Sequence, residues 1–191
     1  MSKWTDEDRA YLQAMRGKLD SDDIHIKEQI KKKLMENKYI IHLLQNKELE
    51  EKNASADEYF GINLLPYYIM EPTQTHTNNF ICFETDFDEL MRYNKSMKMQ
   101  EVVFNILCHE KTIVDTETGL ARHDPLAALI IREFNETNVF GHKIRLISNK
   151  SGVVDNHYPC RTLVFEQKTE NSLTQTDRSG VIRTINKDIV T

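Results

Sequence analysis

The stretch Lys98-Met99-Gln100-Glu101-Val102-Val103-Phe104-Asn105-Ile106-Leu107-Cys108-His109 places Phe104, Ile106 and Cys108 on one face and Val103, Asn105 and Leu107 on the other. A period of two over β-branched and aromatic residues predicts a β-strand, and this is the strongest such run in the chain. Upstream, Phe80-Ile81-Cys82-Phe83-Glu84 reads as a second strand by composition. Between Gly61 and Met70 lies an apolar, aromatic segment interrupted by Pro66, which places it at a sheet edge or in two short pieces. Residues 72–79 read as a loop rich in Thr, Asn and Gln. Downstream, Arg122-His123-Asp124-Pro125 predicts a helix start, with Asp124 as N-cap and Pro125 at the first helical position, where a missing N–H costs nothing. Leu126, Leu129, Ile130 and Phe134 then supply an apolar stripe. Two further alternating runs, Lys143 to Ser148 and Arg161 to Gln167, predict strands on the far side of that helix.

The first fifty residues have a different texture. Thr5 before Asp6, Glu7 and Asp8 is an N-cap followed by acids that the helix dipole favours, with Trp4, Tyr11, Leu12 and Met15 as one face of a short helix ending near Gly17. Ser21, Asp22 and Asp23 start a second helix, where Ile26, Ile30 and Leu34 recur every four residues and lysines largely take the other sides. A break near Asn37 precedes Ile40, Ile41, Leu43 and Leu44 in a third. Residues 48–57 read as a polar, acidic connector, and Gly61, Gly119, Gly141, Gly152 and Gly180 each as a turn. Helical pieces, three strands, one helix, two strands and a polar tail predict an α+β fold: a mostly antiparallel sheet with helices on one face. The expected organisation is an N-terminal helical extension over 1–20, a core over 21–168 and an extended polar arm over 169–191.

The chain has 191 residues, 39% of them hydrophobic, with 25 basic and 30 acidic side chains and a net charge of −5. That length buries a core without disulfides or metal, and the composition excludes collagen, rod and transmembrane classes. Binding of nucleic acid through bulk charge is excluded as well. The N-terminus shows no apolar signal segment. Cys82, Cys108 and Cys160 are widely spaced and odd in number, so they read as reduced, buried thiols in an intracellular setting.

One cluster could carry chemistry: Cys108-His109-Glu110 with His123-Asp124, joined by His157 and Cys160. These are zinc-ligand types, but their spacing lacks the paired Cys/His signature of a zinc site. The plainer reading is a buried thiol, a loop histidine and a helix-start His–Asp pair. A thiol nucleophile, Cys108 or Cys160 with His123, needs an exposed, positively surrounded sulfur, which a strand-face cysteine lacks. Glu84, Asp86 and Asp88 read as an exposed strand end, and Lys31-Lys32-Lys33, flanked by Glu28 and Glu36, as a solvated helix face. Walker and Rossmann glycine patterns are absent. No catalytic, cofactor-binding or metal-binding residue is assigned, and the chain is expected to act by contact rather than as an enzyme.

Several segments, taken in order, resemble the neck and tail-completion proteins of tailed bacteriophages, the tail-terminator or head–tail connector group. They are Ile-Lys-Glu-Gln-Ile-Lys-Lys-Lys-Leu (26–34) with Tyr39 to Leu44, Tyr59-Phe60-Gly61-Ile62-Asn63-Leu64-Leu65-Pro66, Phe104 to His109, and Arg122 to Ile130. The resemblance implies a structural virion protein assembled in the host cytoplasm, a cyclic homo-oligomer expected to be a hexamer. It implies contacts with tail-tube and head–tail connector proteins, no membrane, and DNA passing through a channel without specific binding. A net charge of −5 suits such a channel, because each phosphate neutralised adds affinity through counterion release. The long N-terminal extension and the polar tail depart from that pattern. The alternatives are a metal- or thiol-dependent enzyme using Cys108, His109 and His123, and a non-viral adaptor module.

Overall fold

The computed structural model describes residues 5–15, 21–68, 78–90, 97–155, 157–170, 174–176 and 182–184. Four helices come first: α1 (Asp6–Met15), α2 (Ser21–Glu36), α3 (Lys38–Leu44) and α4 (Lys47–Glu51). Thr5 closes the start of α1 reciprocally with Asp8. Its hydroxyl accepts from the Asp8 N–H at 3.1 Å, and its own N–H donates to the Asp8 carboxylate at 2.8 Å. Trp4 and Gly17 lie outside the described residues, as do the side chains of Tyr11, Leu12 and Met15. The stripe Ile26, Ile30, Leu34 on α2 is buried as the spacing predicts. Asn37 makes the break that starts α3: its Oδ1 accepts from the Tyr39 and Ile40 N–H groups, and its Nδ2 donates to Glu133 at 2.9 Å. The expected connector over 48–57 is instead mostly helical. Asn46 caps α4, and a capping box of Ser55 and Glu58 starts a 3₁₀ turn over Ala56–Tyr59, which buries Leu49 and Tyr59. Polarity concealed this, since two buried side chains suffice to hold two short turns.

The sheet has five strands in the order β1-β2-β3-β5-β4. They are β1 (Leu64–Leu65), β2 (Phe80–Leu90), β3 (Met97–Leu107), β4 (Ile144–Asp155) and β5 (Tyr158–Glu170), with α5 (His123–Phe134) between β3 and β4. All neighbours are antiparallel except β1 against β2. The fold is therefore the α+β class that the alternation predicts. β4 and β5 run well past the segments read from sequence, because pairing with a buried neighbour sustains polar runs such as Asn149-Lys150-Ser151. Gly152 lies inside β4, not at a turn, and a Cβ there would meet the Cys160 Sγ at 3.3 Å. Gly61, Gly119 and Gly141 do sit in turns with positive φ, and Gly180 lies outside the described residues. Within the polar arm, β6 (Thr174–Thr176) and β7 (Ile182–Thr184) pair antiparallel.

The even-numbered face of β3 is the buried one, and it meets the helices. Ile81, Phe83, Val102, Phe104, Ile106, Leu163 and Phe165 pack there against Ile26, Ile30, Leu34, Ile40, Leu126, Ile130 and Phe134. Phe104 sits centrally, its ring centroid 5.2 Å from Phe134 and 5.7 Å, edge-on, from Phe165. Across the sheet a smaller cluster gathers Leu65, Phe80, Cys82, Leu107, Tyr158 and Cys160. Cys108 follows the even face into the helical core. Glu84 is half-buried rather than exposed: it accepts from Lys27 of α2 at 2.5 Å, while Lys27 also donates to the Pro66 carbonyl at 2.9 Å. Asp86 is exposed, and the side chain of Asp88 lies outside the described residues.

Candidate functional site

Beyond Leu107 the chain leaves β3 and stays hydrogen-bonded to the start of β5, the Cys108 N–H donating to the Pro159 carbonyl and that of Glu110 to the His157 carbonyl. This register sets Glu110 Oε1 2.8 Å from His157 Nδ1 and stacks the His109 and His157 rings at 6.2 Å, 9° from parallel. The Tyr158 ring meets His109 edge-on at 5.1 Å. His109 is buried, and its Nδ1 accepts from the Lys111 N–H at 3.1 Å, which leaves the proton on Nε2 in the neutral ring. Burial pushes its pKa below the ordinary histidine value, against the pull of Glu110. His157 and Glu110 themselves are exposed, where such a pair contributes little to stability.

A second polar group surrounds the start of α5. Arg122, one of the largest fully buried side chains, donates through Nε to the Thr112 carbonyl at 2.7 Å and pairs through Nη2 with Asp115 at 3.1 Å. The Thr118 hydroxyl donates to Asp115 at 2.6 Å; with the nearby Arg122 it holds that carboxyl below its usual range. The pair thereby locks the 112–122 loop onto the helix. Asp124 is not the N-cap that the sequence predicts. Its own N–H donates to the Ala121 carbonyl, so the helix already begins at His123, and its carboxylate reaches Arg161 of β5 at 2.5 Å. His123 Nε2 lies 3.5 Å from the same carboxylate, and burial lowers its pKa.

The structure therefore divides the sequence-derived cluster. His109, Glu110 and His157 come together, and His123 joins Asp124 and Arg161. Cys108 is buried in the helical core with its thiol pushed up to about 12 by burial, opposed by Arg122. Cys160 lies on the other face of the sheet, its pKa also raised by burial. Among the described residues no three His, Cys, Asp or Glu side chains are placed to hold a metal ion, and Cys108, His109 and His123 are not brought together as such a set. None of the three cysteines is in a disulfide and all are buried, as their apolar contexts predict.

A buried asparagine relay escaped the sequence reading. Asn46 Nδ2 donates to Asn63 Oδ1 at 2.9 Å, Asn63 Nδ2 to the Asn79 carbonyl at 2.8 Å, and Asn79 Nδ2 to the Leu44 carbonyl at 3.0 Å. Asn79 Oδ1 in turn accepts from the His109 N–H and the Thr112 hydroxyl, both at 3.2 Å. The relay ties the end of α3, the approach to β1 and the turn after β3 into one unit. Asparagine is common in loops, so no local pattern distinguishes these three.

Fold and polar clusters together define an α+β protein whose charged and amide side chains join loops, helix starts and strand ends. The family model of YomW matches residues 37–167, more than half of the chain, and the chain belongs to that family. The family's name is of the kind borne by a protein of a Bacillus phage region, which is consistent with a phage origin. No curated protein matches the chain.

Proposed function

We propose that this protein is a structural component of a tailed-phage virion, a ring subunit at the neck or the end of the tail tube that joins or terminates by contact. What carries the reading, besides the phage-associated family, is the outer edge of β4. Past the Thr137–Ile144 bridge at its start and Leu146, whose N–H donates to Asn135 Oδ1 at 2.8 Å, this strand of 12 residues carries no further strand on its outer side among the described residues. Ile147 and Val153 are 52% and 68% exposed along it. Unpaired N–H and C=O groups beside exposed apolar side chains form a template for another chain. In a ring each subunit offers one surface and receives on another, so the edge of one copy meets a different face of the next. Tail-tube and connector proteins would contact the two sides of such a ring. A net charge of −5 lets DNA pass without being gripped.

Light scattering and negative-stain electron microscopy of the purified chain test this. A closed ring is expected, and Ile147→Lys with Val153→Lys is expected to lower the mass toward the monomer while the circular dichroism spectrum is unchanged. A native chain that stays monomeric at high concentration and shows no ring would overturn the proposal.

A further inference from the structure

The outward side of α2 and the residues on either side of β1 border an open groove of about 480 Å³. Ile24, Met35, Phe60 and Pro66 give it an apolar lining, and Lys27, Lys31 and Lys32 border it together with Glu28, Lys32 lying 3.9 Å from Glu36 on the same helix. Lys31 lies over the Phe60 ring with its Nζ 4.1 Å from the centroid. Lys27 is held by Glu84 and the Pro66 carbonyl, which fixes that wall of the groove. An apolar channel beside a helix with a lysine border fits an amphipathic segment that brings acids and apolar residues together.

This chain contains such a segment. α1 opens with Asp6, Glu7 and Asp8 and continues with Tyr11, Leu12 and Met15 at helical spacing. Residues Thr5 to Ala10 are exposed, so within a single chain the acidic turn is not seated in the groove. We propose that α1 of one copy docks in the α2 groove of the next, its acidic first turn against Lys31 and Lys32. The proposal rests on the assembly reading above and assigns it an interface distinct from the β4 edge. A donor helix at one end of the subunit and an acceptor groove elsewhere is the heterologous arrangement that closes a ring.

Charge reversal in the full-length chain tests it, with Asp8 left intact because it caps α1. One variant carries Asp6→Lys and Glu7→Lys, a second carries Lys31→Glu and Lys32→Glu, and a third carries all four. Light scattering across a concentration series reads the mass, with circular dichroism as the check on folding. Each double variant alone is expected to need at least tenfold more protein to reach the native mass, and the fourfold variant is expected to recover it. An equimolar mixture of the two double variants is also expected to recover mass, because each donor then finds an opposite groove on the other partner. Recovery in the fourfold variant without recovery in the mixture would show α1 folding back on its own groove and overturn the proposal. Native assembly by both double variants would overturn it too, while leaving the ring reading intact. A native chain that is monomeric at every concentration would overturn both.

Discussion

Asn79 lies fully buried just before β2, and its amide serves three partners on two separate pieces of chain: the Leu44 carbonyl at the end of α3, and the His109 N–H and the Thr112 hydroxyl in the turn after β3. Asn79 is buried, so removing the amide takes this partner from the Leu44 carbonyl and the His109 N–H, while the part-buried Thr112 hydroxyl keeps the His109 carbonyl at 3.3 Å. Stranding a buried backbone group costs about 1–3 kcal/mol. Asn79→Ala is therefore expected to destabilise the chain by more than a loop position would, on the order of 3 kcal/mol in urea unfolding. A loss below about 0.5 kcal/mol would show that the relay contributes nothing. Cys108 follows the same logic of burial: its thiol belongs to the core, where the neutral form is the stable one.

Among the elements, α3 depends most visibly on one side chain. Seven residues are too few to hold a helix alone, so its cap and its packing decide whether it forms. Asn37 supplies the cap through Oδ1 and reaches Glu133 of α5 through Nδ2, while Ile40 and Leu44 supply the packing. Asn37→Ala should cost about 1–2 kcal/mol, with hydrogen exchange accelerated first at the Tyr39 and Ile40 amides. Just beyond that same end of α5 the turn into β4 passes through Glu136, whose φ is 60 and whose N–H donates to the Ile144 carbonyl at 2.8 Å, while Lys143 and Arg145 pair with its carboxylate. Such elements were legible to different degrees. The strand at 98–109 and the helix stripe at 126–134 follow from periodicity, since one face of each is buried along most of its length. The turns at 47–59 did not follow, because only Leu49 and Tyr59 of that segment are fully buried.

For the whole molecule, the buried histidines set a pH dependence. Burial holds the pKa values of His109 and His123 below the ordinary value. The unfolded chain therefore takes up protons first as the pH falls from about 7, and the folded state loses stability. This contribution is complete above about pH 6.5 and is lost as the pH falls through the lower folded values. Asp115 and Glu136, held below the usual carboxylate range by hydrogen bonds from Thr118 and Lys143, add a second loss below about pH 4. Urea midpoints measured from pH 7.5 to 5 should decline, and His123→Gln should flatten that decline. An equal slope in the variant would mean that His123 titrates alike in both states.

The sequence by itself determined the layers: alternation over 98–109 and 161–167, a four-residue period over 26–34 and a helical stripe over 126–134, each recording which face is buried. Periodicity is a local consequence of burial, so it survives in a single chain read residue by residue. The tertiary structure alone decided which polar groups meet. It joined His109 to His157 and Glu110, moved Asp124 from cap to partner of Arg161, and drew three asparagines into one relay. Those pairings depend on strand order and register across tens of residues, and no spacing along the chain encodes them.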